Sequence, residues 1–269
     1  PSASTKQVDP NPNWGVDWGK KESDYDPSEE FPGDGPFSEP EARSLAALAA
    51  AFAPHAWINV HSGMEAVFSP YDHVAATPRG READATMELL AAVDAAACGG
   101  RCAKGSGGAA VGYLAHGTAT DFMYDVLRVP VASTWEIYGD DEAGFEDCFR
   151  MFNPTAATEA DAADSERASE VSPKTAGAPK RRKKRMPALE TVAAAWADGA
   201  LVVLENLPSH PGVRLGPEAR DAQANAGRAA AAQFDGRAVA GGEEGGDAGA
   251  EGGAKSAAAA ATTNVSRST

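Results

Sequence analysis

The sequence predicts an α/β domain with a mixed central sheet flanked by helices, carrying an unstructured insert and an unstructured tail. Three observations carry that expectation. Short runs rich in β-branched and aromatic residues, Trp57 to Val60 and 131–137, alternate with helical patterns over 82–97 and 118–127. The first run leads into His61 and the second carries Glu136 near its end, side chains that handle protons or metals, at the sheet edge where open α/β folds build their sites. Two segments, 155–186 and 208–269, are rich in Ala, Gly, Glu and Ser with few large apolar side chains. Such segments bury too little surface to offset the entropy of ordering.

Residues 1–37 are dense in Pro, Gly, Asp and Trp, with turn signals at Asp9-Pro10-Asn11-Pro12-Asn13 and Pro32-Gly33-Asp34-Gly35. Ser38-Glu39-Pro40-Glu41 reads as a capping box opening a helix to about residue 53, with Leu45, Leu48 and Phe52 on its buried face. The strand ending at His61 puts Ala56, Ile58 and Val60 on one face and Trp57, Asn59 and His61 on the other. A further short strand covers 66–69, and a Gly-rich loop over 99–108 follows the 82–97 helix. The domain's first part is 1–154. A helix over 187–207 completes it, with Leu189, Val192, Trp196, Val203 and Leu204 in its apolar stripe.

The net charge of −15 and the pI near 4.7 argue against a nucleic-acid-binding body. The run Lys180 to Arg185 opposes that trend, either as a nuclear-import or polyanion patch or as a solvated basic stretch in the insert. Three cysteines leave one unpaired within the chain, and either Cys98–Cys102 or Cys102–Cys148 is open as a bridge. No run approaches the roughly 18 apolar residues that span a bilayer. The chain starts at Pro1, from which an upstream segment is expected. The compartment stays open between a secretory or vacuolar and a nuclear address.

The chemistry gathers in ordered segments: Val8 to Trp14, Pro36 to Glu41, Asn59-Val60-His61-Ser62-Gly63, Gly112-Tyr113-Leu114-Ala115-His116-Gly117, Asp121 to Tyr124, and Thr134-Trp135-Glu136-Ile137-Tyr138. In these the chain resembles the zinc carboxypeptidases of the carboxypeptidase A and B type, most closely their plant and green-algal branch. The resemblance implies that fold, with its N-terminal part missing, and removal of C-terminal residues from peptides or proteins. It implies one catalytic Zn2+ with His61 as a ligand, and Glu136 as the base that takes a proton from zinc-bound water. It further implies Tyr113 as a tyrosine closing over substrate, Asn11 as a holder of the substrate carboxylate, and Thr120 at the specificity position. Bland alternatives exist for the first four of these residues: a rim histidine, a salt-bridged glutamate, an aromatic under a loop, a turn asparagine.

Two departures bear on activity. Pro12 stands where the family pattern has an arginine, and a proline cannot make the bidentate pair that a guanidinium makes with a carboxylate. That loss weakens recognition of a free C-terminus by on the order of several kcal/mol. None of the five histidines is followed by glutamate three residues later, so the family's His-x-x-Glu ligand pair is absent. A catalytic zinc needs three protein ligands. The alternative reading is therefore a truncated or inactive relative that keeps peptide binding. A third makes the basic run and the tail the working part of a nuclear or scaffold protein.

Overall fold

The computed structural model describes residues 7–23, 25–110, 113–140, 148–154 and 189–235. The expected insert, the run Lys180 to Arg185 and residues 236–269 lie outside them. One sheet contains β1 (Ala56–His61), β2 (Met64–Ser69), β3 (Ala103–Ser106) and β4 (Val131–Tyr138), in the order β1-β4-β2-β3. β1 runs parallel to β4 and β3 to β2, whereas β2 and β4 are antiparallel, so the sheet is mixed as expected. The helices are α1 (Pro40–Phe52), α2 (Arg81–Cys98), α3 (Gly107–Ala110), α4 (Ala119–Asp125), α5 (Cys148–Phe152), α6 (Leu189–Asn206) and α7 (Pro217–Asp235). None of the described helices is long and apolar enough to cross a membrane.

Strand alternation sorts side chains between two cores. On one face Ala132 and Trp57 join Trp14, Phe37, Phe122, Met123 and the alanines of α1. On the other, Ile58, Val67, Val131 and Trp135 meet Leu90 and Val93 of α2 and Val192, Trp196 and Val203 of α6. Gly199 lets α6 press close, because a Cβ there would sit 3.2 Å from Val93 Cγ1 and 3.7 Å from Trp135. Leu189 and Leu204, expected within that apolar stripe, are exposed instead.

The structure corrects four further expectations. α1 buries Ala42, Ala46, Ala49 and Ala50, while Leu45, Leu48 and Phe52 face outward. Small side chains let α1 approach the core and α7 closely. The second correction is α7 itself, which lies within the 208–269 segment expected to be unstructured. It packs on α1, with Gly227 against Ala50, Gln223 donating to the Pro54 carbonyl at 3.2 Å, and Arg220 over the Phe52 ring. Alanine and glycine suffice there because their role is close approach rather than bulk.

Third, Ser38 is not the cap of α1. Glu39 occupies that position without a side-chain cap bond, and Ser38 Oγ accepts from Asn13 Nδ2 at 2.8 Å while donating to Glu39 Oε1. Fourth, the 99–108 loop contains β3, paired in parallel with β2 and leading directly into α3. Its root carries the Cys98–Cys102 disulfide, which decides between the two bridges left open by the sequence.

Asn13 ties the N-terminal segment together. Fully buried, it donates from Nδ2 to the carbonyls of Pro32 (2.7 Å) and Gly35 (3.2 Å), and accepts from Glu39 N at 3.1 Å. Gly33, at φ +86°, makes room, because a Cβ would fall 2.7 Å from Asn13 Nδ2. Replacing Asn13 by alanine strands the buried Pro32 carbonyl and removes the partner of three part-buried groups, Gly35 O, Ser38 Oγ and Glu39 N. Asn13→Ala should lower unfolding free energy by about 3 kcal/mol, seen as a lower urea midpoint at unchanged slope. A loss under about 0.5 kcal/mol, the size of an ordinary surface substitution, would show that these bonds are replaceable.

Candidate active site

In-register pairing across the parallel β1–β4 ladder sets His61 beside Glu136. By the two-residue strand period, Asn59 and Thr134 point to the same side. These four line a cleft of ≈ 450 Å³ with Asn11, Phe68, Asp72, Gly107, Tyr113, Ala115 and Thr118. Asn11, Tyr113 and Ala115 also border a wider hollow of ≈ 1380 Å³, so the two openings share a mouth.

Glu136 is the chemically distinctive group. Among the described residues its buried Oε2 has no hydrogen-bond partner, and burial pushes the carboxyl up to about 7. A Cβ on Gly63 would lie 3.0 Å from the Phe152 ring and 3.8 Å from Glu136 Oε2. The ring and the carboxylate therefore crowd the same glycine, and this apolar neighbour adds to the desolvation. Trp135 and Ile137, which flank Glu136 in sequence, pack into the opposite core and play no part in its pocket.

His61 Nε2 lies 2.8 Å from Asn59 Nδ2, whose N–H donates to the ring lone pair. Burial holds the imidazole below its ordinary range, with Asp9 pulling the other way. Asp9 is itself raised by burial and accepts from Asn11 N at 2.9 Å, the turn bond of an Asp-Pro-Asn segment. Asn11 opens a 3-10 turn, Asn11–Asn13, that puts it at the cleft mouth. Gly117, at φ +72°, locks that turn to the Tyr113 loop. Trp14 N donates to its carbonyl at 2.8 Å, and a Cβ on it would meet the Pro12 carbonyl at 2.4 Å.

Tyr113 is 59% exposed, at the mouth rather than over Glu136. Thr120 does not line the cleft. It is fully buried behind the wall, its hydroxyl 2.6 Å from that of Thr134, which does line it. The structure thus brings together His61, Glu136, Asn11 and Tyr113, and places Thr120 one layer back.

Asn59, Thr134, Thr118 and Asp72 were not singled out from the sequence. The first two were legible as same-face neighbours of His61 and Glu136. Asp72 reaches the cleft only through tertiary structure. Its Oδ2 accepts from Thr118 Oγ1 at 2.8 Å, and its amide donates to Asp121, which also accepts from His73 N and lies 2.6 Å from His73 Nδ1. Burial, and then the Asp121 carboxylate, raise the Asp72 carboxyl.

A zinc carboxypeptidase family model matches residues 1–162. The chain belongs to the zinc carboxypeptidase family. Among solved structures it is similar to thrombin-activatable fibrinolysis inhibitor (26% identity, 50% of this chain and 36% of that chain, TM-score 0.42). It is also similar to the bovine form of that protein, solved in complex with tick carboxypeptidase inhibitor (23% identity, 54% and 51%, TM-score 0.43). A third similar structure is carboxypeptidase A from Helicoverpa armigera (16% identity, 77% and 43%, TM-score 0.49). The matched region spans between 36% and 51% of the length of those three chains. No curated protein matches the chain at a significant level.

The zinc of this carboxypeptidase family is not accommodated by the described residues. Among them, Asp94, Cys98 and Cys102 are the one group of three possible ligands close enough to share an ion, and they lie away from the cleft. His61 has no such companions, and its Nε2 is engaged by Asn59.

The Glu136 shift carries a signed consequence. Its folded pKa of about 7 lies above the ordinary 4.5, so its contribution to stability is full below the unfolded value and is lost as pH rises through the folded one. The stability difference between wild type and Glu136→Gln should therefore fall as pH rises from about 4.5 to 7. Urea melts across that range would show it, and a pH-independent difference would mean that Oε2 is solvated.

Proposed function

We propose that this chain is the base-bearing part of a metallocarboxypeptidase that removes C-terminal residues from peptides or proteins. The observation that carries the reading is the pairing of His61 with Glu136 at neighbouring parallel strand ends on one cleft, with Glu136 Oε2 buried and unpartnered. A carboxyl raised to about 7 sits where a general base works best near neutral pH, able both to take a proton from water and to return it to a leaving amine. Asn11 and Tyr113 at the mouth supply an amide and a hydroxyl for a substrate carboxylate. The remaining metal ligands lie outside the described residues, so hydrolysis belongs to the protein that supplies them.

A second reading has its own support. Pro12 in place of an arginine favours a relative that binds peptide ends without cleaving them, and the His61 ring is already engaged by Asn59. The two readings part on Glu136. In the protein with its full ligand set, Glu136→Gln should lower kcat by about 10²–10⁴-fold while leaving peptide affinity in place. Peptide binding with no release of the C-terminal residue, in wild type loaded with zinc, would decide for the second. This chain alone should retain no zinc through His61 after dialysis. Elemental analysis near one zinc per chain, lost in His61→Ala, would overturn the view that its site is incomplete.

A further inference from the structure

Away from the cleft, the last turn of α2 and the turn after it converge on three groups that the proposed chemistry does not use, two of them cysteines at the edge of the second core. Asp94 and Cys98 stand four residues apart on one helix face. Gly99 and Gly100, at φ +60° and +81°, turn the chain back so that Cys102 returns to the same spot. All three are buried, and their ligand atoms lie within 4.8 Å of one another. The Asp94 carboxylate is already oriented, with Oδ1 accepting from Cys102 N at 2.8 Å and Oδ2 paired with Lys104.

We propose that this is a redox-gated metal site. With the disulfide reduced, Asp94, Cys98 and Cys102 hold one thiophilic divalent cation of the Zn2+ or Cd2+ class, and the disulfide closes the site. Three physical arguments support it. Two thiolates and a carboxylate suit such an ion, with sulfur bonds of about 2.3 Å, and a fourth position is left for water. The Cα separation of 5.6 Å between the cysteines matches two sulfurs about 3.8 Å apart on one tetrahedral ion. Charge also balances, since three anionic ligands face a dication and the Lys104 ammonium, and the C-terminal end of α2 favours a cation. Lys104 is partly exposed and can orient the carboxylate from outside, as an outer partner does for a metal ligand.

Reduction need not undo the fold. The bridge links residues only 4 apart in sequence, and short loops gain least from a cross-link. α2 is held independently by Leu89, Leu90 and Val93 in the core. The site draws on no residue of the cleft, so it stands whether or not the carboxypeptidase reading does.

The test uses the chain with Cys148→Ser, so that a single cysteine pair titrates. A water-soluble phosphine reduces it, the phosphine becoming its oxide with the oxygen of one water while two thiols form. After the phosphine is removed, Co2+ is titrated and Zn2+ used to displace it. The reduced chain should bind one Co2+ with a thiolate-to-cobalt charge-transfer band, and the oxidised chain none. Cys98→Ser should abolish the band. Asp94→Asn, which keeps an acceptor for Cys102 N, should weaken binding by no less than the roughly 10–100-fold lost when an outer-shell partner is removed. No binding by the reduced chain overturns the proposal. So does a band that persists in Cys98→Ser, or one that forms only as the far-ultraviolet helical signal is lost.

Discussion

Because β1 and β4 run parallel and in register, His61 and Glu136 leave the sheet side by side, and the cleft is assembled around those two exits. The register is held by what lies on either face. Ile58, Val131 and Trp135 enter one core, Trp57 and Ala132 the other. A slip of one residue in β4 would exchange its faces, turning the Trp135 indole toward the cleft and Glu136 into apolar packing. Core packing and site geometry are thus the same constraint seen from two sides.

Around that pair the protein spends buried polar groups on fastening loops rather than on chemistry. Asp121 collects the backbone and side chain of the segment after β2, and Asn13 collects three turns of the N-terminal segment. Both side chains are fully buried and richly bonded. Glu136 Oε2 differs, being buried and unbonded. Among the described residues, Glu136 Oε2 is the one buried carboxylate oxygen left without a hydrogen-bond partner.

The strands and their terminal residues were legible in the sequence, because period-two alternation and β-branched runs are local signals. So were α2 and α4, each bounded by its own turn chemistry. What stayed hidden depended on partners distant in the chain. In α1 the bulky residues misled, since Ala46 and Ala50 are buried by close approach to neighbours and Leu48 is not. α7 has a composition that reads as tail, and only its seat on α1 gives it structure. β3 hides in a glycine-rich stretch because its pairing comes from β2 and not from side-chain pattern. Asp72 reaches the cleft through Thr118 and Asp121, residues 46 and 49 positions away, and no local pattern announces such a contact.

His116 changes how the mouth of the cleft can move. Its Nδ1 lies 2.9 Å from Asp17 Oδ2 and its Nε2 2.8 Å from Glu22 Oε1, so the ring bridges the two carboxylates. Asp17 also holds Lys20, and Gly117 N donates to the Val16 carbonyl. The loop bearing Tyr113 is in this way riveted to the strip from Val16 to Glu22. An inward movement of the Tyr113 hydroxyl would not be that of a lone side-chain arm on a free loop. It would carry that strip along, as a door carries its frame when the hinge is set in the wall behind. Changes in the 16–22 strip, away from His61 and Glu136, would then register as altered entry to and exit from the cleft.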